Sequence, residues 1–196
     1  QSFSAFAGNP YFIDLEILIE EGLLKKEEAE SFSWGDEDAS KPYGNIDYAT
    51  LFENRFKVLK IAYQRSEHKK KKGYASFLEK NKFWIEDYSM YMALKEYFGQ
   101  KEWLLWDEDV KYRLPEAMKH YRQMLSDEID FWKFCQYKFQ KQWKKLRKYA
   151  NKKGIALIGD IPIYVAMDSA DVWAHGRIFE LDERKEPIHV AGVPPD

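Results

Sequence analysis

The stretch Gly154-Ile-Ala-Leu-Ile-Gly-Asp160-Ile-Pro-Ile-Tyr-Val165-Ala-Met-Asp168-Ser-Ala-Asp171-Val-Trp173 decides how this chain is read. Ile155 to Ile158 is a short, nearly continuous apolar run entered through Gly154. Such runs suit a parallel strand covered on both faces. Asp160, Asp168 and Asp171 fall just beyond its C-terminal end. In α/β folds that end is where ligands bind and chemistry is placed. The pattern therefore predicts a buried strand over 155–158 that feeds an acidic loop. No partner strand is visible elsewhere, and one strand cannot make a sheet. The expectation is a segment of a longer protein.

Upstream of this stretch the pattern is helical. Asp47 is placed to cap a helix over 48–66. Leu51, Phe52, Phe56, Leu59 and Tyr63 recur at three and four residues, a core-facing stripe. Phe77 to Phe98 carries Phe83, Trp84, Tyr88, Tyr91, Met92, Leu94 and Phe98. That density predicts a largely buried helix over 82–98, stopped near Gly99. A third helix is predicted over 115–152. Its acids Asp127, Glu128 and Asp130 precede its bases Lys141, Lys144, Lys145, Arg147 and Lys148. That order matches the helix dipole and explains the basic stripe without a nucleic-acid partner. Gly8-Asn9-Pro10-Tyr11 reads as a turn and Lys25 to Glu30 as a charged helical stretch. Residues 33 to 47, with Gly35, Pro42, Gly44 and Asn45, read as a loop.

Composition removes several classes of function. The chain has 31 basic and 33 acidic residues, so no global field draws it to nucleic acid or anionic membrane. His68-Lys-Lys-Lys-Lys72, ended by Gly73, reads as a solvated connector rather than a phosphate patch, because it is isolated in a neutral chain. Cys135 has no second cysteine to pair with, which suits a reducing compartment. No apolar run approaches a membrane span. His68, His120, His175 and His189 lack zinc-ligand spacing, and no nucleotide-binding glycine loop or serine elbow occurs. The aromatic content, 17%, supports either a bulky helical core or rings that face a sugar or base.

The remaining chemistry lies in the carboxylates of 160–171. Asp160 is read as holding loop amides or as catalytic, with neither preferred. Asp168 begins Asp-Ser-Ala-Asp, which reads as a cap and first helical turn, so it either caps that helix or grips sugar hydroxyls. Asp171 reads as structural.

Several of these stretches are similar to one family. Gly159-Asp160-Ile-Pro-Ile-Tyr-Val-Ala-Met-Asp168-Ser-Ala-Asp-Val-Trp-Ala-His175 and Val190-Ala-Gly-Val-Pro-Pro-Asp196 closely resemble the 4-α-glucanotransferases called amylomaltase or disproportionating enzyme, glycoside hydrolase family 77. So do Gln1-Ser-Phe-Ser-Ala-Phe-Ala-Gly-Asn-Pro-Tyr11-Phe-Ile-Asp-Leu15, Trp84-Ile-Glu-Asp-Tyr-Ser-Met-Tyr-Met-Ala-Leu-Lys95 and Phe139-Gln-Lys-Gln-Trp143. The likeness covers nearly the whole chain. Gly176-Arg177 departs from the family's more usual His-Pro-Glu continuation, and Asp107 from an expected Pro.

The resemblance implies a (β/α)8 TIM-barrel glycosidase with helical insertions, of which this chain is a helix-dominated segment. Residues 1–153 would be the helical insertion subdomain, and 154–196 a barrel strand with its active-site loop in an incomplete barrel. It implies cleavage of an α-1,4-glucosidic bond with retention and transfer to a second glucan. Retention takes two carboxylates about 5 Å apart. The resemblance puts that pair beyond Asp196, so no catalytic residue is expected in this segment, and the segment alone is expected to be inactive. It assigns Asp168 to substrate contact and Tyr48 to an aromatic of a secondary glucan site. No metal ligand and no cofactor are implied. Maltooligosaccharides or other α-1,4-glucans are the expected partners, with no nucleic acid and no membrane, in the cytoplasm. An α-amylase-type hydrolase is disfavoured because the Asn-His pair usual after that strand is absent behind Asp160. A stand-alone helical interaction or nucleic-acid-binding module is the rival from another class.

Overall fold

The structure, a computed structural model, describes residues 2–32, 34, 47–159, 164–189 and 192. Residues 33 and 35–46 of the expected loop lie outside the described residues, as do Asp160 and the three residues after it. Nine α-helices run through the described residues. They are α1 (Leu15–Glu20), α2 (Lys26–Glu30), α3 (Tyr48–Arg65), α4 (Lys72–Asn81), α5 (Ile85–Tyr97), α6 (Glu108–Lys111), α7 (Pro115–Met124), α8 (Ser126–Lys152) and α9 (Ala170–His175).

Local chemistry accounts for several helix ends. The Asp47 carboxylate accepts the Thr50 amide at 3.1 Å, so α3 starts where the cap signal puts it. The Asp14 carboxylate does the same for α1, accepting Glu16 N–H at 2.9 Å. Gly99 (φ +64°) and Gln100 (φ +66°) turn left-handed after α5, and Gln100 N–H closes onto the Lys95 carbonyl at 2.7 Å.

Helix α5 packs against α8, and α3 and α7 flank α8. Every residue of α5 from Tyr88 to Lys95 is buried, as its aromatic density predicts. The first half of α8 contributes Ile129, Phe131, Trp132, Phe134 and Cys135 to the same core. Trp84, Trp103, Trp106 and Trp173 are also buried there. The core reading of the aromatic content therefore holds for most of the indoles.

The N-terminal segment is bound along α8 by two glutamines. Gln136 accepts Gly8 N–H and donates to the Gly8 carbonyl, both at 2.8 Å. Gln142 repeats this with Asp14, at 2.8 and 3.0 Å. The contact is so close that a Cβ on Gly8 would meet the Phe139 ring at 2.0 Å.

Three expectations are corrected. The helix expected over 82–98 begins at Ile85, because Lys82 to Trp84 form a turn after α4. There the Trp84 indole N–H donates to Asn81 Oδ1 at 3.1 Å, and Asn81 Nδ2 donates back to the Phe77 carbonyl at 2.7 Å. The helix expected over 115–152 is two helices, parted at Leu125 (φ −103°, ψ 26°). The strand expected over 155–158 does not form. After Gly154 (φ +77°) the chain leaves α8 without regular structure, and Ile155, Leu157 and Ile158 are exposed. A strand is stabilised by hydrogen bonds to a neighbour. Among the described residues the only β pairing is an isolated antiparallel bridge between Leu181 and Pro187.

The lysine run is a connector, as read. Its first residue, His68, is 2% exposed and packs between the rings of Tyr74 and Phe134. Lys69 pairs with Asp130, and Lys70 with Glu67 at 2.6 Å. The last lysine of the run, Lys72, opens α4, which continues through Gly73.

Candidate functional site

Asp168 lies where the segment leading into α9 crosses α5. Its carboxylate does not cap the helix. Ser169 holds the cap position, and its hydroxyl accepts Val172 N–H at 3.3 Å. This corrects the capping alternative for Asp168. The physical reason is competition, because stronger donors engage its carboxylate.

Those donors come from two elements. On α5, the Tyr91 hydroxyl donates to Asp168 Oδ1 at 2.6 Å, and Lys95 Nζ pairs with Oδ2. Tyr91 and Lys95 are one helical turn apart and so share a face. From the short 3₁₀ turn Trp103–Leu105, the Trp103 amide donates to Oδ1 at 3.3 Å. The Trp103 indole N–H donates to the Met167 carbonyl at 2.8 Å, which fixes the residue before Asp168.

The surroundings are apolar. The Lys95 side chain is 3% exposed, against 28% for Asp168. Its ammonium also donates to the Lys101 carbonyl at 3.1 Å and sits 5.3 Å from the Phe3 ring centre. The Tyr91 ring contacts Trp106 and Trp173, with centroids 5.4 and 5.9 Å away. Burial, then the hydrogen bond to Asp168, pushes the Tyr91 phenol far above its ordinary range. Tyr91 is therefore a fixed donor at neutral pH. The cluster presents a carboxylate clamped by one cation and two N–H or O–H donors, with part of its surface open.

Asp171 is structural, in agreement with its reading. It accepts Ala5 N–H at 2.6 Å and the Ser4 hydroxyl at 3.3 Å, fastening α9 to the N-terminal segment. The Ala170 amide adds a bond to the Phe3 carbonyl at 2.9 Å.

Tyr48 is not part of this cluster. It is the first residue of α3 and 73% exposed. Phe52, one turn further along the same face, lines a groove of about 760 Å³ between α3, α5 and residues 2–11. Phe3 lines the same groove and also covers Lys95. Neither Tyr48 nor Asp168 lines it.

Sequence reasoning missed Tyr91, Lys95 and Trp103 as partners of Asp168. One signal was available. A lysine inside the apolar run Tyr91-Met-Ala-Leu-Lys95 needs a buried partner, because lysine is almost never fully buried unpaired. Among the described residues no group of three or more His, Cys, Asp or Glu side chains could hold a metal ion. No described helix is long and apolar enough to cross a membrane.

Comparison with known proteins adds an independent line. A family model described as 4-alpha-glucanotransferase matches residues 1–196. The 4-alpha-glucanotransferase of Clostridium butyricum is 48% identical over 197 residues, covering 100% of this chain and 39% of its own length. That of Thermus thermophilus is 40% identical over 200 residues, covering 100% and 38%. The solved structure of an amylomaltase from Streptococcus agalactiae in complex with acarbose superposes with a TM-score of 0.90 at 42% identity, covering 100% of this chain and 39% of that one. The chain thus spans about 39% of the length of the relatives it matches.

Proposed function

We infer the function from one premise: this chain belongs to the 4-alpha-glucanotransferase family, glycoside hydrolase family 77. We propose that it is part of a longer retaining enzyme that moves α-1,4-glucan segments between maltooligosaccharides. The observation that carries this reading is the match over the whole chain at 48% identity to a 4-alpha-glucanotransferase. The retaining carboxylate pair is proposed to lie in the remainder of that enzyme, so the 196-residue chain alone is inactive.

Within this chain, Asp168 is proposed to grip a glucose hydroxyl near the scissile bond. Its geometry supports that role, because a paired carboxylate with an exposed edge is an acceptor for a sugar O–H. Tyr48 is proposed to offer its ring to a secondary glucan site, since an exposed aromatic face suits the apolar C–H face of a pyranose. The chemistry uses carboxylates alone, so the enzyme needs no metal or organic cofactor. A cytoplasmic setting is proposed, which the lack of a second cysteine to pair with Cys135 suits.

The fold proposal is that residues 1–153 form the helical insertion and 154–196 a strand and loop of a TIM barrel. Ile155, Leu157 and Ile158 then gain neighbours from the remaining barrel strands. The rest of the barrel also covers the groove of about 610 Å³ lined by Phe12, Ile17, Trp143, Leu146 and Tyr149. A nucleic-acid module built on the lysine run is disfavoured, because Lys69 and Lys70 are already paired with acids.

The test is glucose release from maltotriose. The full-length enzyme should be active after dialysis against a chelator, and the 196-residue chain should match the buffer blank. In the full-length enzyme, Asp168→Asn should lower kcat/KM roughly 30- to 1000-fold, the loss of a charged hydrogen bond in the transition state. Release by the short chain would refute the placing of the catalytic pair. An Asp168→Asn variant with native kinetics would refute the role of Asp168.

A further inference from the structure

We propose that the cavity of about 460 Å³ between α6, α9 and the turn at Lys185 binds a phosphate monoester. The inference goes beyond the glucan reading and does not depend on the roles proposed for Asp168 or Tyr48.

The charge of the lining points to an anion. Lys111, Arg113, Arg177 and Lys185 all line this cavity, and the described residues around it include no Asp or Glu. His175 adds a further positive charge only when protonated. Among the described residues Asp87 is the only carboxylate paired with this set. It accepts Arg113 Nη2 at 2.5 Å and stands 3.9 Å from His175. Lys111, Arg177 and Lys185 form no ion pair among the described residues. Like charges around one cavity repel one another, and a bound anion removes that cost.

These cations are held in place. Lys111 and Lys185 stand 5.7 and 6.0 Å from the centre of the Tyr112 ring. The Tyr112 hydroxyl donates to the Glu183 carbonyl at 3.1 Å. The Asp182 carboxylate accepts the Arg184 and Glu186 amides at 2.8 and 2.9 Å. Those bonds fix the turn that carries Lys185 against Tyr112. The Arg113 guanidinium lies 4.1 Å from the centre of the Trp173 ring, which together with Asp87 sets its plane. Arg113 and Lys185 also have left-handed backbone, with φ +56° and +69°. Residues with a side chain rarely adopt it, and such strain gathers at functional sites.

Charge and size then select the ligand. A phosphate monoester carries about −1.5 to −2 near neutral pH and offers three acceptor oxygens. Guanidinium and ammonium groups are the usual donors to it. The volume is that of a small-molecule site, so room remains beside the phosphate for the esterified group. A maltooligosaccharide is uncharged and gains nothing from four cations. Where the family resemblance leads to His-Pro-Glu, this chain has His175-Gly176-Arg177, a guanidinium in place of a carboxylate.

The experiment is calorimetric titration of the full-length enzyme at low ionic strength with glycerol 3-phosphate, inorganic phosphate and glycerol. Glycerol 3-phosphate should bind saturably at one site, and glycerol should not bind. Arg177→Glu should weaken that binding about tenfold or more, and Lys111→Gln about three- to tenfold, the loss of one charged contact each. Neither residue has an ion-pair partner to strand, and a cooperative melt checks that each variant folds. If Arg177→Glu does not fold, Lys111→Gln carries the test. No saturable binding of glycerol 3-phosphate up to about 10 mM would overturn the proposal, since affinity below that is too weak for a built site. Undiminished binding in the folded variants would overturn its location. Binding of inorganic phosphate with the ester excluded would overturn the ligand class.

Discussion

The two halves of helix α8 share a backbone and a helical apolar spacing, yet they have opposite surroundings. In the first half Phe131, Trp132, Phe134, Cys135, Gln136 and Lys138 are all buried under α3, α5 and the N-terminal segment. In the second half Trp143 is 42% exposed, Leu146 55% and Tyr149 62%. Gln136 and Gln142 show where the change falls, since both grip the N-terminal segment and beyond Gln142 only Ala150 of the helix is buried. The lesson is that apolar periodicity declares a face for packing but not what packs on it. Burial belongs to the pair of surfaces.

The first way to break this comparison is to remove one side chain from each half. In this chain Phe134→Ala should cost about 3–5 kcal/mol, because it empties a fully buried site. Leu146→Ala should cost under about 0.5 kcal/mol, as an exposed position does. Denaturant melts of both variants measure the difference, and equal losses would end the distinction.

The second sharpens it. Placed in a full-length parent, Leu146→Ala should cost about 2–5 kcal/mol, the range for a buried leucine. A parent as tolerant as the short chain would mean that the open half of α8 stays uncovered there.

Gly8→Ala probes the boundary between the halves. The added methyl must displace the Phe139 ring, with an expected loss of about 1–3 kcal/mol. Hydrogen exchange of residues 8–14 should quicken in that variant, because the Gln136 and Gln142 clamps loosen together.

The smallest effect concerns the closed side. Glu28 bonds Arg65 at 2.7 and 2.8 Å, joining α2 to α3. The Arg65 hydrogen bonds, with the Lys25 amide, hold its carboxyl at about 2, against an ordinary 4.5. Its folded value lies below the unfolded one. The contribution is therefore complete above about 4.5 and is lost as pH falls through about 2. Melting midpoints followed down that range should fall more steeply in the native chain than in Glu28→Gln.

Much of the helical core was legible because its causes are local. The Asp47 cap, the aromatic density of α5 and the Gly99 stop each act within a few residues, and the structure places those features as read, whereas the stripe of α3 holds for Leu59 and Tyr63 but not for Phe52, which is exposed. The breaks at Lys82–Trp84 and Leu125 escaped, because a helical pattern continues across both while Asn81 and the packing of α7 against α8 decide the turns. Asp168 was legible as a residue of interest, but its partners were not, and its supposed cap belongs to Ser169.

The sequence by itself determined where α3 begins, where α5 stops, and which family the motifs resemble, since these depend on neighbours within a turn or two. Only the tertiary structure decided that Ile155 to Ile158 stand exposed without a partner strand, that the second half of α8 is open, and that Asp168 is shared between α5 and the turn at Trp103. Strand pairing and buried ion pairs require groups from distant segments to meet at hydrogen-bonding distance, and no local pattern states which segments will do so.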